Sequence, residues 1–208
     1  MAGQFVPVKI NAEKEGVAAT KKYGVQGFPT ILFLNASGSV EGKIVGYLDP
    51  APFATQLHTI AEAHRVTPAL EARLRAKPDD VEAAAKLAAI YAGRENEARA
   101  VALLEQAEKG NPQNPSLAKA YNAVGDHFQL KNDFDRAIGL FRKAEATGKD
   151  PYDVNYARIS IASCYLSQQK PDQATPELEA ILNDPHAPQE IKGDAQKLMD
   201  QLKKPSGG

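Results

Sequence analysis

Residues 21–47 read KKYGVQGFPTILFLNASGSVEGKIVGY, and the way this stretch folds decides the first third of the chain. PTILFLN is a near-continuous run of apolar, branched and aromatic residues, ASG supplies a turn, and VEGKIVGY returns in strand-like composition. Two such runs joined by a short glycine-containing turn predict a β-hairpin. Upstream, FVPVKIN alternates Val6, Val8 and Ile10 with Pro7, Lys9 and Asn11, the period of two that predicts a half-buried strand over 5–10. Pro7 removes one ladder donor and favours the beginning or edge of that strand. AEKEGVAATKKYGV predicts one short helix, with Val17, Ala18 and Tyr23 at helical spacings and Gly24 placed to stop it. Downstream, DPAPFATQLHTIAEAHR opens on an Asp49 cap and a proline in the first turn. It sets Phe53, Leu57 and Ile60 on one face of an amphipathic helix.

Strand, helix, hairpin, helix is the order of the carboxyl-terminal half of a thioredoxin fold. KYGVQGFPTILFLNASG followed by GKIVGY resembles the thioredoxin family. The resemblance implies that the proline of the G-x-P-T stretch is cis, which places Phe28, Pro29 and Thr30 at a cis-proline site. Read on their own, these residues allow Pro29 simply to turn the chain into the strand that follows, since most X-Pro bonds are trans. The resemblance also implies a preceding strand, helix, strand and C-x-x-C helix, and this sequence holds none of them. Its single cysteine is Cys164, so the chain alone has no thiol pair for disulfide exchange and no catalytic residue is expected. In the family's sheet the missing strand lies between 5–10 and 30–34, which leaves two unpaired edges, and such edges recruit partners. The expectation is completion by a second copy, by rearranged strand pairing, or by packing on the helices that follow. Loss of the amino-terminal half by truncation is the alternative account of its origin.

From Thr67 on, the composition shifts to alanine, leucine, lysine and glutamate with prolines and glycines at breaks. Moved by 37 positions, Ala84, Leu87, Ala88 and Tyr91 fall on Tyr121, Val124, Gly125 and Phe128, then on Arg158, Ile161, Ala162 and Tyr165. The same shift carries Ala100, Leu104 and Ala107 onto Ala137, Phe141 and Ala144, then onto Ala174, Leu178 and Ile181. A constant offset through three copies marks a repeat architecture. Each copy resembles the tetratricopeptide repeat (TPR); the middle copy matches best, with Tyr121, Val124, Gly125, Phe128, Ala137, Phe141 and Pro151. Gly125 and Ala137 stand where two antiparallel helices approach closely. The departures are a period longer than the family's usual one and Arg158 where an aromatic is expected. The plan is therefore a truncated thioredoxin-like domain over 1–66 and three repeats over 78–112, 115–151 and 152–185 within 67–204. A capping helix over 188–204 closes the stack. The fold class is α+β followed by all-α, a helical-hairpin superhelix. The resemblance implies a concave groove whose positions are held by Lys119, Asn122, Asp126 and Gln129 in the middle repeat and Tyr156, Ile159 and Ser163 in the last. In the first repeat, Ala85, Ala89 and Ala92 make that face smooth and apolar.

Composition narrows the rest. Twenty-five Lys plus Arg against 26 Asp plus Glu leave a formal net charge of -1, so no global field draws the chain to nucleic acid or anionic membrane. No apolar run is long enough to span a bilayer. His58, His64, His127 and His186 lack metal-ligand spacing, and neither a metal nor a cofactor is expected. Cys164, at a small buried repeat position, reads as an inert core thiol. Asp79 and Asp80 read as a helix start, and no phosphate loop or nucleophile elbow is present. The expected function is a non-catalytic scaffold for protein or peptide partners that self-associates through its incomplete sheet, a dimer being favoured. The alternatives are an ATP-independent holdase and a fragment of an oxidoreductase whose C-x-x-C half lies elsewhere. A bacterial cytoplasmic location is expected, with an exported one left open by any signal in the absent amino-terminal part.

Overall fold

The computed structural model describes residues 5–203; the sequence-based bounds at 1 and 204 lie outside them. The chain divides into two compact units, residues 1–60 and 61–208.

In the first unit, α1 (Val17–Lys22) precedes an antiparallel pair, β1 (Thr30–Leu34) and β2 (Val40–Val45). Ile31 sits opposite Ile44, Phe33 opposite Gly42, and a bulge falls between Phe33 and Leu34. Asn35 builds the turn: its Oδ1 accepts from the N–H groups of Ser37 and Ser39, both at 3.0 Å, and Gly38 takes φ of 76°. A turn residue whose side chain bonds the backbone two positions on fixes the hairpin without help from a core. The first turns of α2 (Pro50–Ala76) bring Ile60 over β2. A Cβ on Gly42 would lie 2.7 Å from Ile60 Cδ1, so glycine is what permits this approach. Among the described residues, Phe33 and Ile44 are this unit's buried hydrophobic side chains.

The expected strand over 5–10 is corrected. Residues 6–11 carry no regular secondary structure, and Val6 and Val8 are 90% and 77% exposed. Alternation makes a segment able to join a sheet but does not by itself pair it: among the described residues the sheet has only β1 and β2, and 6–11 bonds to neither of their open edges. The helix expected to close the first segment also differs. α2 continues through Pro68 to Ala76, so the unit boundary at residue 60 falls inside it and short of the expected boundary at 66. Thr67, one residue before, donates its hydroxyl to the Ala63 carbonyl at 2.6 Å, while Pro68 itself has no amide to donate.

In the second unit the last turns of α2 precede α3 (Val81–Gly93), α4 (Glu97–Gly110), α5 (Ser116–Leu130), α6 (Phe134–Thr147), α7 (Pro151–Ser167), α8 (Pro171–Asn183) and α9 (Gln189–Lys203). The 37-residue period reaches down to backbone angles. Glu95, Asn132 and Gln169, one per hairpin turn, take φ of 57°, 60° and 59°. The next amide in each case bonds back to the aromatic near the end of the preceding helix: Asn96 to Tyr91, Asp133 to Phe128 and Lys170 to Tyr165, all at 2.9 Å. This left-handed cap satisfies the last carbonyls of the first helix. The residue that closes it then opens the second helix, because the Asn96 and Asp133 side chains accept from Arg99 N and Arg136 N. Asp80 caps α3 in the same way.

One core cluster runs through Leu87, Leu104, Tyr121, Val124, Phe141 and Ile161; a second, around Leu178, Ile181, Ile191 and Met199, is closed by α9. Close approach is built into the middle repeat, since a Cβ on Gly125 would meet the fully buried Phe141 ring at 2.7 Å. Arg158, the departure from the repeat pattern, has a structural reason. Tyr121 donates its hydroxyl to Glu108 at 2.7 Å, and 37 residues on Arg158 donates its Nε to Glu145 at 2.9 Å. The inter-helix bond is kept while the donor changes.

Candidate functional site

Of the groove positions expected on α5 and α7, Asp126 and Tyr156 bond each other and Asn122 bonds the α7 backbone. Asn122 is 6% exposed; its Nδ2 donates to the Asp153 carbonyl at 3.0 Å, and its Oδ1 is buried without a hydrogen bond. Tyr156 donates its hydroxyl to Asp126 Oδ2 at 3.0 Å. Burial raises the Asp126 carboxyl to about 6, only partly offset by that hydroxyl, and burial likewise raises the Tyr156 phenol. Cys164 is fully buried; loss of solvent, and then the Asp126 carboxylate, push its thiol up to about 11, which keeps it protonated at neutral pH. Ile159 packs with Tyr156 against the second core cluster. Gln129 and Ser163 are half-buried, and Lys119 is exposed.

The open space lies to one side of these residues. A cavity of about 570 Å³ is walled by Val66 and Leu70 of α2, Ala85, Ala89 and Ile90 of α3, and Ala120 of α5. Its volume falls within the roughly 300–1,000 Å³ of ligand pockets. Lys86, Lys119, Lys149, Asp150 and Asp153 supply its charge. The α2 wall is tied to the repeats at several points: Tyr91 donates its hydroxyl to Glu71 at 2.6 Å, Arg99 donates to the same carboxylate, and Arg94 donates to Thr67 Oγ1 at 3.0 Å. Of the seven sequence-derived groove residues, Lys119 lines this cavity. Sequence reasoning missed Val66, Leu70, Lys149 and Asp153. The signal available for the first two was a helical spacing that runs unbroken across Pro68.

In the first unit the Phe28–Pro29 peptide bond is cis, and Thr30 donates its hydroxyl to the Gly27 carbonyl at 2.7 Å. Phe28 is exposed. No group of three or more His, Cys, Asp or Glu able to hold a metal occurs among the described residues, and no described helix is long and apolar enough to cross a membrane.

A family model described as a thioredoxin-like domain matches residues 2–61. Among solved structures, TTC0263, a thermophilic TPR protein of Thermus thermophilus, is 17% identical with a TM-score of 0.54, over 70% of this chain and 77% of its own. MamA MSR-1 C2 is 22% identical over 68% of this chain and 70% of its own, with a TM-score of 0.44. A search of curated proteins finds no match. Residues 2–61 are therefore thioredoxin-like, and the helices that follow them have a TPR-like fold.

Proposed function

We propose that this chain is a non-catalytic protein-interaction scaffold, with a groove on its TPR-like helices for a protein or peptide partner and self-association through its thioredoxin-like segment. One observation carries the reading. Of the eleven large hydrophobic side chains exposed among the described residues, nine belong to the first unit: Val6, Val8, Ile10, Val17, Phe28, Ile31, Leu34, Val45 and Tyr47. Apolar surface concentrated in this way is a mark of an interaction site, and β1 offers beside it an edge that a further strand can bond. A single cysteine, buried and protonated, supports the non-catalytic part of the reading.

The test is solution mass by light scattering across a concentration series. A dimer is expected for the unaltered chain, and monomer for the double variant Ile31→Lys, Val45→Lys, which charges two exposed strand positions. A monomer at every concentration contradicts self-association. The same exposed surface favours a second reading, an ATP-independent holdase. It requires the chain to suppress aggregation of a heated client protein, and failure to do so removes it.

A further inference from the structure

We propose that the cavity walled by α2, α3 and α5 takes an apolar peptide segment flanked by acidic side chains; this inference rests on the scaffold reading above and names the chemistry of its partner. The floor is hydrocarbon, supplied by Val66, Leu70, Ala85, Ala89 and Ile90, and it favours aliphatic side chains through the area they remove from water. The rim carries three ammonium groups from three different places: Lys86 on α3, Lys119 on α5 and Lys149 just before α7. Two carboxylates share the cavity, but both have work of their own. Asp150 caps α7 by accepting from Tyr152 N at 2.9 Å. Asp153 is only 8% exposed; burial raises its carboxyl, the Lys119 charge lowers it, and the Asp150 charge adds to the rise, so three cations stand against two carboxylates. Lys86 meets Glu82 at 2.6 Å in a pair whose side chains are about half exposed. Such surface pairs hold weakly and exchange readily for a better partner. What faces an incoming ligand is therefore positive around an apolar floor. Cations spaced over three elements suit carboxylates placed at intervals along a chain better than one compact anion.

Of the seven groove positions read from sequence, Lys119 alone takes part in this recognition; Asn122, Asp126 and Tyr156 bond one another or the α7 backbone instead. The specificity comes from α2, a helix outside the repeats, together with the lysines.

The experiment is fluorescence anisotropy on the full chain with two dye-labelled peptides, a repeat of Glu-Leu-Ala and its charge reversal, Lys-Leu-Ala. The expected result is saturable binding of the glutamate peptide, weakening as salt rises, with little binding of the lysine peptide. In the double variant Lys119→Glu, Lys149→Glu, both positions being exposed, affinity for the glutamate peptide should fall at least about tenfold, the loss of one charge-assisted contact. Ala89→Trp, which fills the floor, should abolish binding while helical circular dichroism is kept. Equal binding of both peptides, or a double variant that binds the glutamate peptide like the unaltered chain, overturns the charge inference and leaves the groove reading standing. Binding of neither peptide overturns both.

Discussion

The two units of this chain are similar in the fraction of their residues that is apolar and put it to different effect. In the first, strands and loops leave Val6, Val8, Phe28, Val45 and Tyr47 exposed and, among the described residues, bury the hydrophobic side chains of only Phe33 and Ile44. In the second, Leu87, Leu117, Phe141, Ile161, Leu178 and Ile181 are all fully enclosed. The contrast follows from how each architecture closes. A helical hairpin satisfies its own backbone and needs only the next hairpin to cover its apolar face, so a stack of three with a terminal helix completes itself. A two-stranded hairpin satisfies half of its backbone and covers little, and it gains independent stability only from further strands or helices. The same hydrophobic content thus makes a core in one unit and an adhesive surface in the other.

The sharpest way to break this comparison is to open the helical core. Phe141→Ala should cost about 3–5 kcal/mol, read as a lower urea midpoint of the helical signal; a loss below about 1 kcal/mol would mean that the ring is not the keystone its burial indicates. Gly125→Ala pushes a methyl group into that same ring. Overpacking of about 1–3 kcal/mol should outweigh the better helix propensity of alanine, and an unchanged or raised midpoint would deny the close approach.

A pH series separates Asp126 from the surface carboxylates. Its carboxyl is held near 6, above its ordinary 3.8. The stability it contributes is therefore complete below about 3.8 and lost as pH rises through about 6. Asp126→Asn should be more stable than the unaltered chain at pH 7–8, by on the order of 1 kcal/mol once partial exposure is discounted, and should flatten the slope between pH 4 and 7. Glu97, bonded by Lys131 and His127 and held at about 2, acts in the opposite sense: its contribution is present above 4.5 and lost as pH falls through about 2. A slope above pH 4.5 that survives Asp126→Asn would assign it to another group. The smallest expected effect is at Gln169, which sits at φ of 59° in the last hairpin turn. Gln169→Gly relieves a left-handed strain of about 1–2 kcal/mol but loosens the unfolded chain by about 0.5–1 kcal/mol, so the midpoint should rise by the small difference. A fall would deny that the cap is strained.

Much of this fold was legible because the 37-residue period places small residues and aromatics at fixed positions, and a repeat has to place its caps where its neighbours do. The hairpin at 30–45 was legible from its apolar runs and its turn. The segment 5–10 was not, because alternation states what a strand's faces want and says nothing about which strand, if any, it pairs with. Pro68 concealed the length of α2, since proline ends most helices, yet this one runs on through it. The groove was half legible. Repeat spacing finds the helix face of Asn122 and Asp126, but not that Tyr156 and the α7 backbone consume them. Nor can it find a wall contributed by a helix outside the repeat.

The most direct measurement is hydrogen exchange followed by mass spectrometry, resolved by peptide, on dilute and concentrated samples of the whole chain. Self-sufficient helices should protect 81–183 equally at both concentrations, while 28–47 should exchange rapidly when dilute and slow markedly when concentrated, as partner chains cover the exposed strands. Equal and strong protection of both stretches in the dilute sample would contradict the contrast between a unit that completes itself and one that is completed by others.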